Sequence, residues 1–173
     1  ALTLYNLDDI LILGYLATLA KEIRISKEQK DYVYFINNHH INVTNLCEGT
    51  CKFCAYKKTF NDSLSYFMNL DNIEEYLITK VSNSINELHI VSAVNKKADL
   101  DYYKGLFALC KKYFPNVHIQ GLTAVEIDFL AKTEGLSVKD ILKELLKSGL
   151  GSIPGGGAEI FNPSVRHKIC PDK

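Results

Sequence analysis

The chain has 173 residues, 20 Lys+Arg against 20 Asp+Glu, and an ordinary 47% content of hydrophobic residues. A net charge of zero leaves no basic excess for neutralising phosphates, which argues against nucleic acid as a partner. No apolar run approaches the roughly 18 residues that a membrane span needs, so the expectation is one folded domain, 1–173, without a membrane span. The chain begins with Ala1 and its first residues lack the basic lead of a signal peptide.

Asp8 and Asp9 precede Ile10, Leu11, Leu13, Leu16 and Ala20, with Lys21 and Arg24 beyond them. Acids before and bases after a periodic apolar run predict an N-terminal helix of about four turns. Aromatic and β-branched residues then predict strand over 32–36 and over 39–43, on either side of Asn37 and Asn38. Residues 47–58 read as a loop. Ile73, Leu77, Ile78 and Val81 mark a helix over 71–82, and Glu87 to Val91 reads as a buried strand. Tyr103, Leu106, Phe107 and Cys110 place a helix over 100–114 that Pro115 ends, with a third strand at Val117 to Ile119. Ser137, with Asp140 three positions on, opens a helix that Gly149 closes. A fourth short strand, Leu150 to Ile153, runs into Pro154 and three glycines, and Asn162 with Pro163 starts a last helix. Four strand–helix alternations predict an α/β fold around a parallel sheet, open or barrel-like.

The chemistry concentrates in Cys47-Glu-Gly-Thr-Cys51-Lys-Phe-Cys54, directly after a predicted strand. Five cysteines, three of them within eight residues, do not resemble a secreted disulfide framework and fit a reducing cytoplasm. A structural zinc site needs four ligands, and only three cluster here; His39, His40 or Cys110 would have to supply the fourth. Three thiolates around a cubane cluster instead leave one iron open to a small molecule. Loops at the C-terminal ends of parallel strands are also where barrel folds build their active sites.

The Cys-x-x-x-Cys-x-x-Cys spacing after the first strand of a βα series resembles the radical S-adenosylmethionine superfamily. That resemblance implies a partial (β/α) barrel of about four βα units behind the N-terminal helix. It also implies a [4Fe-4S] cluster on Cys47, Cys51 and Cys54, with S-adenosylmethionine chelating the fourth iron. Phe53 matches the position that packs near adenine, and Tyr56 in Cys54-Ala-Tyr lies in the same cofactor-binding stretch.

Five further stretches, His40-Ile-Asn-Val-Thr-Asn-Leu-Cys47, Leu88-His-Ile-Val91, Thr123-Ala-Val-Glu-Ile127, Pro154-Gly-Gly-Gly-Ala-Glu-Ile-Phe161 and Ile169-Cys-Pro-Asp-Lys173, resemble the aminofutalosine synthases of the futalosine route to menaquinone. The resemblance runs from about Leu7 to Lys173. It implies addition of a 5′-deoxyadenosyl radical to the enol-ether double bond of 3-[(1-carboxyvinyl)oxy]benzoate, giving aminodeoxyfutalosine and consuming S-adenosylmethionine. A flavodoxin or ferredoxin would supply the electron. Dehypoxanthine futalosine cyclases and FO synthase subunits share the cysteine loop and are the alternative within the superfamily; an inactive cluster-binding fragment is the alternative outside it.

Other candidates have bland readings beside the functional ones. Gly155, Gly156 and Gly157 would let a ligand approach the backbone, or simply make a tight turn. Glu159 is a candidate contact for ribose or substrate, or a solvated acid near a helix start. Glu126 is a ligand contact or a helix-start residue, and His40 a catalyst or a satisfied histidine. Cys110 reads as core, and Cys170 as no ligand. The superfamily often sets Gly-Gly and an acid at the end of the second strand to hold the cofactor's amino group. Here Ser92 stands in that region, and a hydroxyl supplies no carboxylate. A barrel usually takes around 250 residues, so the expectation is a chain carrying cluster and cofactor ligands but lacking the later βα units.

Overall fold

The computed structural model describes residues 2–156 and 160–173. They fall into two compact units, one ending at Phe35 and one spanning Ile36–Lys173. The first holds α1 (Leu2–Tyr5) and α2 (Ile10–Arg24). The Asp9 side chain caps α2 by accepting from Leu11 N and Ile12 N at 2.9 and 3.2 Å, and Lys21 and Arg24 occupy its last turn, as the charge pattern predicts.

The strand expected over 32–36 does not form; these five residues are irregular and exposed. High β propensity needs a neighbouring strand to express it, and the parallel ladder starts only at Asn38.

The second unit is built on three parallel strands in the order β1 (Asn38–Ile41), β2 (Glu87–Ile90), β3 (His118–Gly121). The register runs His39↔Leu88↔Ile119 and Ile41↔Ile90↔Gly121, so one face presents Ile41, Leu88, Ile90 and Ile119, all buried. That face packs with α3 (Leu70–Lys80), α4 (Leu100–Tyr113) and α6 (Val138–Lys147) through Ile73, Leu77, Leu106, Phe107, Ile141 and Leu145. Asp99 caps α4 through Tyr102 N at 2.8 Å. Gly105 admits Leu70 so closely that a Cβ there would stand 2.7 Å from Leu70 Cδ1, which brings α3 and α4 together. The other face carries His40, His89 and Gln120 in one cross-strand row, the two imidazoles 5.0 Å apart.

Two further elements differ from the sequence expectation. A helix, α5 (Ala124–Glu134), follows β3 directly, opened by a capping box in which Thr123 and Glu126 each bond the other's backbone N–H. The fourth strand is reduced to a single parallel bridge, Gln120↔Ser152, supported by Gly121 N–H to Ser152 O at 3.0 Å. Its surroundings explain the brevity. Gly149 takes φ +113°, the His118 ring leaves no room for a side chain at Gly151, and Pro154 has no N–H to donate. Upstream, α6 ends in a Schellman arrangement, Leu150 N–H to Leu145 O and Gly149 N–H to Leu146 O, with Gly149 at the predicted C′ position. The fold class stands as a partial α/β barrel, with three laddered strands and a one-bridge fourth instead of four full βα units. α7 (Pro163–Ile169) begins at Asn162 and Pro163 as predicted. Among the described residues, no helix is long and apolar enough to cross a membrane.

Candidate functional site

β1 delivers the chain into the cysteine loop through Thr44 and Asn45, both buried and polar. Thr44 Oγ1 donates to Tyr66 O at 2.6 Å and accepts from Leu46 N at 3.1 Å. Asn45 Nδ2 donates to Leu64 O at 2.9 Å while its Oδ1 accepts from Tyr66 N at 2.8 Å. The loop is closed at its neck by Cys47 N–H to Lys58 O and Lys58 N–H to Asn45 O. On its other side Glu48 N–H donates to Val94 O, and buried Asn95 donates to Leu46 O at 3.1 Å. The loop therefore hangs between two segments that follow β1 and β2, at the C-terminal edge of the sheet.

Cys47, Cys51 and Cys54 line one cavity of about 140 Å³, whose wall also includes Gly49, Lys57, Thr123 and Asp172. All three are free thiols, Cys54 exposed and the other two half-buried. Burial pushes the Cys51 thiol up, the Lys173 ammonium works against that, and neighbouring Cys170, Cys47 and Asp172 reinforce it. Gly49 keeps the space beside the first cysteine clear: a Cβ there would stand 3.4 Å from Cys47 Sγ and 3.9 Å from Asp172 Oδ2. Among the described residues, no three His, Cys, Asp or Glu converge tightly enough to hold a metal ion. Three thiols around a shared cavity, with a glycine cradle beside one of them, fit a polynuclear iron–sulfur group better than a closed four-ligand ion site.

The other expected residues separate. Phe53 is exposed, with the Lys173 ammonium 5.5 Å from its ring centroid. The Tyr56 hydroxyl is committed to Thr44 O at 3.2 Å and to the Tyr66 hydroxyl at 2.6 Å; its pKa is raised, first by burial and then by that partner. The Ser92 hydroxyl donates to Thr44 O and accepts from Thr44 N, both at 3.0 Å, so it ties β1 to β2. His40 lies on the exposed row of the sheet, where partial burial and then the neighbouring His89 lower its pKa. Gly155 and Gly156 follow the Ser152 bridge, and Gly156, at φ +126°, lines a cleft beside Phe161 and Arg166. Gly157 and Glu159 lie outside the described residues. Cys110 is core, its thiol pushed up to about 12 by burial.

Glu126 occupies a different position from either sequence reading taken alone. It opens a helix, and it is 3% exposed with both carboxylate oxygens engaged. Oε1 accepts from Ser92 N at 2.8 Å, and Oε2 from Thr123 N and Thr123 Oγ1 at 2.7 Å each. A carboxylate does therefore stand at the end of β2, supplied by the first turn of α5. Burial raises its pKa to about 7 against the opposing pull of those three donors. The buried turn that delivers it passes through Leu122 at φ +60°, a conformation uncommon outside glycine. The signal was present in the sequence: Thr-x-x-Glu is a capping box, and the carboxylate of such a box is free to bond a second strand with its other oxygen. Of the other cavity-lining residues, Thr123 and Asp172 enter the sequence reading only as members of the Thr123–Ile127 and Ile169–Lys173 stretches, and Lys57 carries no sequence signal.

Comparison with known proteins agrees with this arrangement. The Radical SAM superfamily pattern matches residues 41–173. A 5-amino-6-(D-ribitylamino)uracil–L-tyrosine 4-hydroxyphenyl transferase of Methanothermobacter thermautotrophicus is 35% identical over 155 residues, covering 90% of this chain and 42% of that protein. An aminodeoxyfutalosine synthase of Streptomyces coelicolor is 34% identical over 168 residues, covering 97% of this chain and 42% of that one. The chain thus spans about two fifths of the length of these relatives. The crystal structure of HydG, a maturase of the [FeFe]-hydrogenase, superposes with a TM-score of 0.71 at 15% identity, over 97% of this chain and 35% of that one, a likeness of fold.

Proposed function

Since this chain belongs to the radical SAM superfamily, we propose that Cys47, Cys51 and Cys54 hold its cluster and that it acts as an aminofutalosine synthase. Members of the superfamily use a [4Fe-4S] cluster and S-adenosylmethionine. When bound, the cluster supplies the electron that cleaves the cofactor to methionine and a 5′-deoxyadenosyl radical. In this reading the radical adds to the enol-ether double bond of 3-[(1-carboxyvinyl)oxy]benzoate, the adduct rearranges and loses its carboxyl carbon, and an electron carrier of the flavodoxin or ferredoxin kind provides the reductant.

The observation that carries the proposal is the gathering of three free thiols on one cavity at the C-terminal edge of a parallel sheet. The chain's own contribution is positional. Thr44, Ser92 and Glu126 knit the three strand ends beneath the cavity, and Asn45 and Asn95 hold the loop above it. Ordered walls of this kind orient a ligand and exclude water from a reactive site. Lys57, Lys173 and Asp172 also stand at the cavity wall, where the Lys57 ammonium bonds Gly49 O, the Lys173 ammonium meets the Phe53 ring and Asp172 holds Thr50.

A second reading stands on equal identity to the tyrosine 4-hydroxyphenyl transferase relative, and in it the radical acts on tyrosine. Anaerobic reconstitution with iron and sulfide, reduction with dithionite, and incubation with S-adenosylmethionine and either substrate set, read by mass spectrometry, separate the two. Aminodeoxyfutalosine is the expected product. Product from tyrosine and 5-amino-6-(D-ribitylamino)uracil selects the second reading, 5′-deoxyadenosine alone indicates a damaged site that cleaves the cofactor without coupling, cluster uptake with no cleavage indicates an inactive cluster-binding fragment, and uptake of zinc without iron refutes both readings.

A further inference from the structure

Residues 169–173 reach back over the cysteine loop from the far end of the chain. Lys52 N–H donates to Ile169 O at 2.9 Å. Thr50 donates twice to Asp172 Oδ2, through its backbone N–H and its hydroxyl, each at 2.5 Å. The Lys173 ammonium meets the Phe53 ring, and Cys170 anchors the segment by being fully buried. The segment is itself braced: Arg166 Nε donates to Lys173 O at 2.9 Å, and Lys173 N–H to Cys170 O at 3.3 Å. Within the loop, residues 49–54 belong to no helix or strand. Their order therefore comes from contacts made elsewhere, and the strap supplies them at Thr50, Lys52 and Phe53, interleaved with Cys51 and Cys54.

We propose that residues 169–173 are a strap that sets the cysteine loop in its cluster-receiving shape, with Asp172 as the positioning residue acting through Thr50. The reasoning is entropic. Each backbone residue left unfixed has many conformations to lose, so an unstrapped loop spreads its thiols and cluster binding bears the ordering cost. A carboxylate accepting two donors from one threonine fixes both the backbone and the side chain of the residue next to Cys51. Asp172 also reaches the cavity wall, so the same side chain that holds the loop bounds the space the loop encloses.

The inference rests on the cluster reading for its purpose but is tested without a cluster. In the metal-free, reduced 173-residue chain, iodoacetamide labelling is followed cysteine by cysteine by mass spectrometry. Asp172→Ala should raise the plateau rates, read at a pH where each thiol is fully ionised, at half-buried Cys47 and Cys51 by roughly three- to tenfold, the scale of losing an ordinary solvent-exposed hydrogen bond, and leave exposed Cys54 unchanged. Thr50→Val, which keeps its backbone N–H on Asp172, should do so in part, the double variant should not exceed Asp172→Ala, and Asp172→Glu should restore part of the protection. Iron retained per chain after reconstitution should fall in the same order. Wild-type labelling rates in Asp172→Ala, or effects of the two single changes that multiply, overturn the strap. If Asp172→Ala does not fold, Asp172→Leu carries the same comparison at similar size, and Asp172→Asn, whose amide oxygen still accepts from Thr50, should keep most of the protection. Raised rates with no iron uptake even in the wild type would instead refute the cluster reading and leave the strap intact.

Discussion

Replacing Glu126 by glutamine should change how stability depends on pH, and the structure sets both sign and size. The carboxyl titrates at about 7 in the folded chain against an ordinary value of 4.5, because burial outweighs the three donors around it. Between those pH values the folded state binds a proton that the unfolded state has released, so the group's contribution is full below about 4.5 and is lost as pH rises through 7. At 1.36 kcal/mol for each unit, the loss comes to about 3 kcal/mol. His40 works in the opposite direction, since its lowered pKa makes the unfolded state the better proton acceptor as pH falls. The difference between wild type and Glu126→Gln cancels that contribution and isolates Glu126.

Glutamine does not copy the protonated acid. A protonated Oε2 can donate to Thr123 Oγ1, which turns to accept, and still receive Thr123 N–H. An amide NH₂ at either position faces a backbone N–H, of Thr123 or of Ser92, and leaves it unsatisfied at a cost of about 1–3 kcal/mol. The penalty of Glu126→Gln should thus be largest below about pH 4.5 and shrink by about 2.5 kcal/mol between pH 5 and pH 8, which brings the variant level with or above the wild type. The chain has no tryptophan, so urea unfolding is followed by far-UV circular dichroism under reducing, anaerobic conditions. A penalty that stays constant from pH 5 to pH 8 would refute the assignment of a buried, proton-holding carboxylate.

Two further outcomes follow from the same contacts. Gly49→Ala places a methyl 3.4 Å from Cys47 Sγ, an ordinary contact for a free thiol, so the melting of the metal-free chain should move by less than about 0.5 kcal/mol. Iron retained per chain should nevertheless fall, and full retention would show that the cradle has no part in receiving the cluster. Leu106→Ala removes a fully buried side chain between α4 and the sheet and should cost about 2–5 kcal/mol by urea unfolding. A loss below 1 kcal/mol would mean that this part of the core is loosely packed.

Much of the fold was legible because local signals and packing agree. Ser137 and Asn162 cap α6 and α7 where the sequence places a capping residue at the helix start. Where one signal stood without the other, the reading failed. Tyr32 to Ile36 has strand composition but no neighbouring strand, so propensity had nothing to pair with. Leu150 to Ile153 has a neighbour, yet glycine at 149 and 151 and proline at 154 limit the pairing to Ser152. α5 carries a weaker signal: its window Ala124 to Glu134 buries Ile127, Leu130 and Ala131 where β3 delivers it onto the core, and Glu126 reads either as a ligand contact or as the helix-start residue that it is.

The candidate site divides along the same line. Cysteine spacing is a local property of one loop, so Cys47, Cys51 and Cys54 were readable as a set. What holds that loop is non-local, and no window of sequence contains it. Thr50 meets Asp172 across 122 positions, Thr44 meets Ser92 across 48, and Ser92 meets Glu126 across 34. Each of these contacts joins the end of one strand, or the loop beyond it, to a segment after another. Parallel topology produces this arrangement, because it collects successive strand ends at one edge while separating them in sequence by a helix. The apparent lack of an acid after β2 is a case in point. Ser92 looked like a missing carboxylate when strand 2 was read alone; with β3 beside it, Glu126 brings the carboxylate to the same edge and leaves the Ser92 hydroxyl to bind Thr44. That carboxylate is taken up by Ser92 and Thr123 and does not line the cavity, so its presence at the edge braces the strand ends and does not by itself meet a ligand.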